Sequence, residues 1–168
     1  YYGKITQANI KIVSAISHYS QSQLAILKDL STSNSILYSP NITLGINWLI
    51  VASKILKSIV PSADIEIIEE HFRNKKGISG TAIKIANHLD LNVDEHISSI
   101  RVGGIVGKHE IIFGLPSQTI RLVHESIDRA AFARGAILGA KWLMNRKNGL
   151  YSMEDVLEDK FKKFITNP

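Results

Sequence analysis

No cysteine occurs among the 168 residues, which removes disulfides, thiolate catalysis and cysteine-ligated zinc in one step and suits a reducing cytosol. Tryptophan is limited to Trp48 and Trp142, both read as core anchors of helices. No aromatic platform stands beside the basic residues, so a nucleic-acid module has little support. Apolar runs stop short of the roughly 20 residues that a membrane-spanning helix needs. The longest, LGINWLIVASKILKSIV from Leu44 to Val60, carries Lys54 and Lys57 and reads as a buried helix. Neither sign of charge dominates: 20 Lys+Arg against 15 Asp+Glu leave +5, too small and scattered for a nucleic-acid surface. Small anions are the better-matched partners. No HExxH or two-histidine-one-carboxylate spacing exists, so no metal site is expected, and His109 and His124 read as hydrogen-bonded structural residues. Initiator methionine and signal-peptide pattern are both missing before Tyr1-Tyr2-Gly3-Lys4, which suggests the back part of a longer protein or a trimmed chain.

What is there is a globular composition, 45% hydrophobic and 21% charged, in a length of about one domain. IKIVSAI, Ile10 to Ile16, is β-branched enough for a buried strand; Ser20 with Gln23 then forms a capping box before a short helix marked by Leu24, Leu27 and Leu30. A strand ILYS follows, and Asn41 or Thr43 caps the helix that ends before Pro61. ADIEIIEEHF alternates at Ile65 and Ile67 but is broken by Ile68, which predicts a strand covered on one face and partly on the other. A helix starts near Ser79-Gly80-Thr81, and three strand-like runs come after it, the last two joined by GLPSQ. The long helix in DRAAFARGAILGAKWLMN is expected to line the core with Phe132, Ile137 or Leu138, and Trp142, while Gly135 and Gly139 mark close packing. A final helix begins at a box-like Ser152 and Asp155 pair. Elements that alternate first and segregate later predict α/β followed by α+β.

The chemically loaded stretch is EIIEEHFRNKKGISGTAIKIA, Glu66 to Ala86. Ser79, Gly80 and Thr81 sit at a helix start, where unpaired N–H groups and the helix dipole favour an anion and glycine lets a ligand approach the backbone. Arg73, Lys75 and Lys76 precede it on a glycine-containing loop that can fold over the same anion. His71 has the ordinary pKa for proton exchange near neutrality, and a neighbouring lysine can assist or donate. The same residues also read as a plain helix cap and a solvated basic loop. RVGGIVGKHE is not a phosphate loop, because Val102 stands where GxxxxGK needs glycine. Its glycines at 103, 104 and 107 suggest a bulge or a crowded strand crossing, and Arg101 can face the anion site or the solvent.

Five ordered segments, SPNITLGIN, DIEIIEEHFRNKKGISGTA, RVGGIVGKHEIIF, IRLVHESIDRAAFARGAILGAKWL and GLYSMEDVL, resemble the dihydrodipicolinate (4-hydroxy-tetrahydrodipicolinate) reductases of bacterial lysine and diaminopimelate synthesis, from about Ser39 to Leu157. The resemblance implies a remnant of a Rossmann-type nucleotide-binding domain over 1–42, an α+β substrate-binding and oligomerisation domain with a mixed sheet over 43–150, and a C-terminal helix over 151–168. It implies an oxidoreductase that uses NADPH or NADH on a small cyclic dicarboxylate, as a cytoplasmic homotetramer. His71 would exchange a proton and Lys75 donate one, Ser79, Gly80 and Thr81 would bind a substrate carboxylate with Arg101 nearby, and Ser39, Pro40, Asn41 and Ile42 would touch the cofactor.

The chain departs from the family pattern in three places. Phe72 replaces the second of two adjacent histidines; the basic loop is one residue shorter, leaving Lys76 as a rival to Lys75; and AISH, Ala15 to His18, stands where a glycine-rich dinucleotide turn is usual. The chain as given is therefore not expected to bind a nicotinamide cofactor unaided. The alternative reading is a non-catalytic dicarboxylate-binding or structural paralogue that has lost cofactor binding.

Overall fold

The computed structural model describes residues 10–166, so the first nine residues of the expected nucleotide-binding portion lie outside it. In chain order the elements are β1 (Ile12–Ser14), α1 (Gln21–Leu30), β2 (Ser35–Tyr38), α2 (Leu44–Ile59), β3 (Asp64–His71) and α3 (Gly80–His88). They continue as β4 (Ile97–Arg101), β5 (Lys108–Leu115), β6 (Gln118–Glu125), α4 (Ala130–Leu143), β7 (Gly149–Tyr151) and α5 (Met153–Thr166). Two compact units result, one formed by the chain up to Asn47 and from Ala130 onward, the other by Trp48–Arg129. Among the described residues no helix is long and apolar enough to cross a membrane.

The first unit is built on a three-stranded parallel sheet in the order β1-β2-β7. Neighbouring residues of a strand point to opposite faces, and β2 uses both. Ile36 packs with Leu27 and Leu30 of α1, whereas Leu37 packs with Ile42, Leu143, Met153 and Val156. Helix α1 starts as its sequence demands, with Ser20 Oγ accepting from the Gln23 N–H and Gln23 Oε1 accepting from the Ser20 N–H. Helix α5 closes its own start through Ser152 and Asp155 in the same way. Strand β7 is only three residues long and has no alternation to announce it; the sequence reading has no strand there.

Helix α4 turns glycines, not its large side chains, toward its neighbours: Gly135, Gly139 and Leu143 are buried, one helical turn apart. Leu138 and Trp142 pack at the edge of that stripe, but Phe132 is 40% exposed, against expectation, because the close approach is reserved for the small residues. Trp48 is likewise no core anchor; at 46% exposed it shares an outward side of α2 with Leu44, one turn earlier.

The second unit holds a four-stranded mixed sheet in the order β4-β3-β5-β6, with β3 parallel to β4 and antiparallel to β5. The tight β5–β6 hairpin matches the expected antiparallel part. Its buried face is laid down in cross-strand rows: Ile65 opposite Phe113, Ile67 opposite Ile111, then Glu69 opposite His109. Helix α3 contributes the buried Ala82, Ile85 and Ala86. Each fully buried aliphatic side chain contributes about 1.5–3 kcal/mol, so the two apolar rows can carry the polar row beside them.

A β-carbon at position 135 would stand 1.9 Å from the Ile42 carbonyl oxygen, a backbone atom that cannot rotate away. Gly135→Ala is therefore expected to cost about 2–3 kcal/mol, seen as a fall in Tm of roughly 5–10 °C in thermal denaturation. An unchanged Tm would contradict the close packing.

Candidate functional site

Counting by two along β3 brings Ile65, Ile67, Glu69 and His71 to one buried face, with Glu66, Ile68 and Glu70 on the other. Two polar side chains thus follow two isoleucines into the interior. The Glu69 carboxylate is fully buried and takes five hydrogen bonds. Its Oε2 faces His71 Nδ1 at 2.5 Å and accepts from Arg101 Nη1 at 2.8 Å. Its Oε1 accepts from the Ser79 N–H at 3.1 Å, Ser99 Oγ at 2.7 Å and Arg101 Nη2 at 2.5 Å. Burial alone would push this carboxyl up, yet the bonds from Arg101, Ser99, His71 and Ser79 prevail and hold its pKa at about 2.

Arg101 also donates from Nε to the Lys75 carbonyl at 3.1 Å, from Nη2 to Gly77 at 2.7 Å and from Nη1 to Ile100 at 2.8 Å. With its two bonds to Glu69, all five N–H groups of the guanidinium are engaged within the protein. Arg101, expected near the anion, thus fixes the loop that carries Lys75. Gly77 turns that loop with φ of 63°, in the left-handed region that favours glycine. The loop's other side is tied to the residues after β4, where Arg73 N–H meets the Gly103 carbonyl and Val102 N–H meets that of His71.

His71 lies edge-on to His109, their ring centres 5.3 Å apart. His109 Nε2 is 2.9 Å from Ser79 Oγ, the same oxygen that accepts from the Thr81 N–H and caps α3. Burial, seconded by His71, depresses the His109 pKa to about 3, so this ring is neutral at pH 7. His71 is also shifted down, first by its burial and further by Lys75 and Arg101, while Glu69 pulls it back up. Lys75 is among the cations whose charge lowers the proton affinity of both rings. Above Gly80 nothing comes within 4 Å of the place where a β-carbon would be, leaving the start of α3 open. At position 107 the reverse holds: a β-carbon would come 3.1 Å from His71 Nε2, so glycine leaves that nitrogen its room.

The second unit therefore gathers His71, Lys75, Ser79, Gly80, Thr81 and Arg101 around one buried carboxylate. Phe72 is not in that set: its side chain is 44% exposed, and its carbonyl accepts the Lys75 N–H. Reading the sequence missed Glu69 and took His109 for a hydrogen-bonded structural residue, a bond that it makes to Ser79. The signal for Glu69 was the alternation from Ile65, which continues through it to His71. His109 carried no such signal until β5 was paired with β3.

Ser39, Pro40, Asn41 and Ile42 belong to the first unit, directly after β2. Ser39 Oγ donates to the Asn41 carbonyl at 2.6 Å, and Asn47 Nδ2 donates to the carbonyls of Asn41 at 2.5 Å and Thr43 at 2.7 Å. The turn is thus braced from within by buried polar groups.

Comparison with known proteins places the chain in context. Residues 43–157 match the profile described as dihydrodipicolinate reductase, C-terminus. A 4-hydroxy-tetrahydrodipicolinate reductase of Wigglesworthia glossinidia brevipalpis is 36% identical over 164 residues, covering 94% of this chain and 62% of that protein. One from Rickettsia bellii is 35% identical over 175 residues, covering 94% of this chain and 70% of the relative. The chain spans less than two thirds of the length of the first of these. A dipicolinate-bound dihydrodipicolinate reductase from Paenisporosarcina superposes with a TM-score of 0.80 over 92% of this chain and 68% of that one, at 23% identity, and shares the fold.

A histidine whose folded pKa lies below its unfolded value makes the unfolded chain the better proton binder between the two. The stability held by neutral His109 is complete above about pH 6.5 and is lost as the pH falls from there toward about 3. Urea denaturation between pH 7 and pH 4.5 should show a steeper loss of stability in the native chain than in His109→Gln, which keeps a polar partner for Ser79 without the titration. Equal slopes would contradict a neutral, buried His109.

Proposed function

The chain belongs to the dihydrodipicolinate reductase family, and on that premise we propose that it supplies the substrate-binding half of an enzyme that reduces 4-hydroxy-tetrahydrodipicolinate to tetrahydrodipicolinate, in lysine and diaminopimelate biosynthesis. The observation that carries the proposal is the convergence of an open helix N-terminus at Gly80 with His71 and Lys75 around one buried carboxylate. A cyclic dicarboxylate suits this arrangement. One carboxylate is received by the first N–H groups of α3 and the Thr81 side chain, with Ser79 holding the cap. Lys75 adds positive charge beside the ring and donates the proton that the reduced ring needs. His71 exchanges that proton through Nε2, its Nδ1 being engaged by Glu69.

NADPH or NADH, when bound, would supply the hydride, and the 4-hydroxyl of the substrate leaves as water. The braced turn Ser39–Pro40–Asn41–Ile42 lies beyond the carboxyl end of a parallel strand, the edge where nucleotides settle in open α/β sheets, and this supports assigning those four residues to the cofactor. It is also the support for reading the first unit as part of a Rossmann-type domain. The turn after β1 offers no such cradle: it contains no glycine, and the start of α1 is closed by its own box. The fit of this chain is thus to one end of the cofactor. Following the family resemblance, we further assign a cytoplasmic homotetramer, for which the exposed apolar side chains of Val123 on β6 and Ile127 just beyond it offer contact area.

Phe72 and the glycine-free turn favour a second reading, a paralogue that keeps the dicarboxylate site and has lost reduction. Calorimetry on the full protein with pyridine-2,6-dicarboxylate, NADH and NADPH separates the two. Binding of the acid together with either nucleotide supports the reductase; binding of the acid alone supports the paralogue.

Within the reductase reading, His71→Ala and Lys75→Ala each should lower kcat by about 10²-fold, whereas Lys76→Ala should leave it within about threefold. Gly80→Ala should leave Tm unchanged, since its methyl meets nothing within 4 Å. It should nonetheless weaken dicarboxylate binding by about tenfold, because the methyl stands over the helix start. Full affinity in Gly80→Ala would remove the helix N-terminus from the site.

A further inference from the structure

We propose that Glu69 is the positioning residue of this site, a buried carboxylate that selects the tautomer of His71 and, through Arg101, sets the height of the loop bearing Lys75. The inference rests on the reading of His71 as the proton-transfer group. An ionised carboxylate only accepts, so the 2.5 Å contact to Oε2 requires the proton on His71 Nδ1. Neutral His71 then presents Nε2 as a bare acceptor, beside the room left by Gly107. Without Glu69 the two tautomers would compete, and the ring would lose its only ionic tether on β3.

The same carboxylate has further holds on the site. Arg101 joins both carboxylate oxygens to the carbonyls of Lys75 and Gly77, while Oε1 receives the N–H of Ser79, the cap of α3. The proton-transfer histidine, the cationic loop and the anion-binding helix start are therefore referred to a single pair of oxygens. A carboxylate needed only for stability would not have to meet Nδ1, since Arg101, Ser99 and Ser79 already satisfy it. The groups acting on His71 from around it are Glu69 on its own strand, Lys75 on the loop, Arg101 on β4 and the neutral ring of His109 on β5. Only Glu69 among them raises its affinity for a proton.

The experiment pairs nitrogen-15 NMR of the histidine side chains with steady-state kinetics of the full protein. The native protein should show neutral His71 as the Nδ1–H tautomer. Glu69→Gln should convert it to a tautomer mixture, move its titration to lower pH, and lower kcat by about 10²-fold with KM changed by no more than about threefold. Adding Glu69→Gln to His71→Ala should lower kcat by far less than the product of the two single losses, the remainder passing through Arg101 to the Lys75 loop. Should Glu69→Gln fold poorly with Arg101 left uncompensated, Glu69→Asp keeps the charge but withdraws it from Nδ1, and the same tautomer shift and kcat loss are expected. An unchanged His71 tautomer and titration in both variants overturns the proposal, as does a kcat loss that multiplies with that of His71→Ala. A tautomer shift in a protein whose turnover survives His71→Ala supports the positioning by Glu69 and overturns the proton-transfer role of His71.

Discussion

An ionised carboxylate with no exposure to water is the constraint on which the second unit turns. Leaving the Glu69 charge uncompensated inside the protein would cost several kcal/mol, so its surroundings are obliged to supply donors in fixed positions. They come from four places in the sequence: His71 on the same strand, Ser79 at a helix cap, Ser99 and Arg101 on the neighbouring parallel strand. Strand pairing, loop path and helix entry are thereby linked. The parallel register that puts Ser99 opposite Glu69 and Arg101 opposite His71 is what brings the serine and the guanidinium within reach.

The rows of the sheet explain how such a polar knot is tolerated. Ile65 with Phe113 and Ile67 with Ile111 form an apolar base, and the Glu69 and His109 row follows it along the same face. His109 meets the burial differently, by remaining uncharged and bonding the hydroxyl of Ser79. One interior position is thus ionised and the other neutral, and each is the cheaper state for its own set of partners.

Much of this architecture was legible in the sequence, for reasons that can be named. Caps are local chemistry, so the boxes at Ser20 and Ser152 and the cap at Ser79 were readable from a few neighbouring residues. The GAILG spacing announced a close approach, and Gly135 against Ile42 provides it. What was not legible depends on partners distant in the chain. Strand β7 exists because β2 offers it an edge, and its three residues have no pattern of their own. Phe132 and Trp48 were assigned to the core by size; on α4 the neighbouring backbone comes so close at Gly135 that small residues make the contact, and Trp48 lies on an outward side of α2. Arg101 could be read toward the anion site or the solvent, and neither reading foresaw the loop carbonyls that fold onto it. Glu69 sat in plain alternation with Ile65 and Ile67, but a strand reading that looks for apolar residues passes over the charged one.

The turn at Ser39–Ile42 has a thermodynamic consequence that its geometry alone does not announce. Bonds from Ser39 and Asn47 brace it internally, and the glycine face of α4 lies against its Ile42 carbonyl, so few alternative conformations are open to it. A ligand meeting this turn would find a surface already ordered, and little conformational entropy would be lost on association. Discrimination at that edge would then rest on shape, with mismatched ligands rejected rather than accommodated.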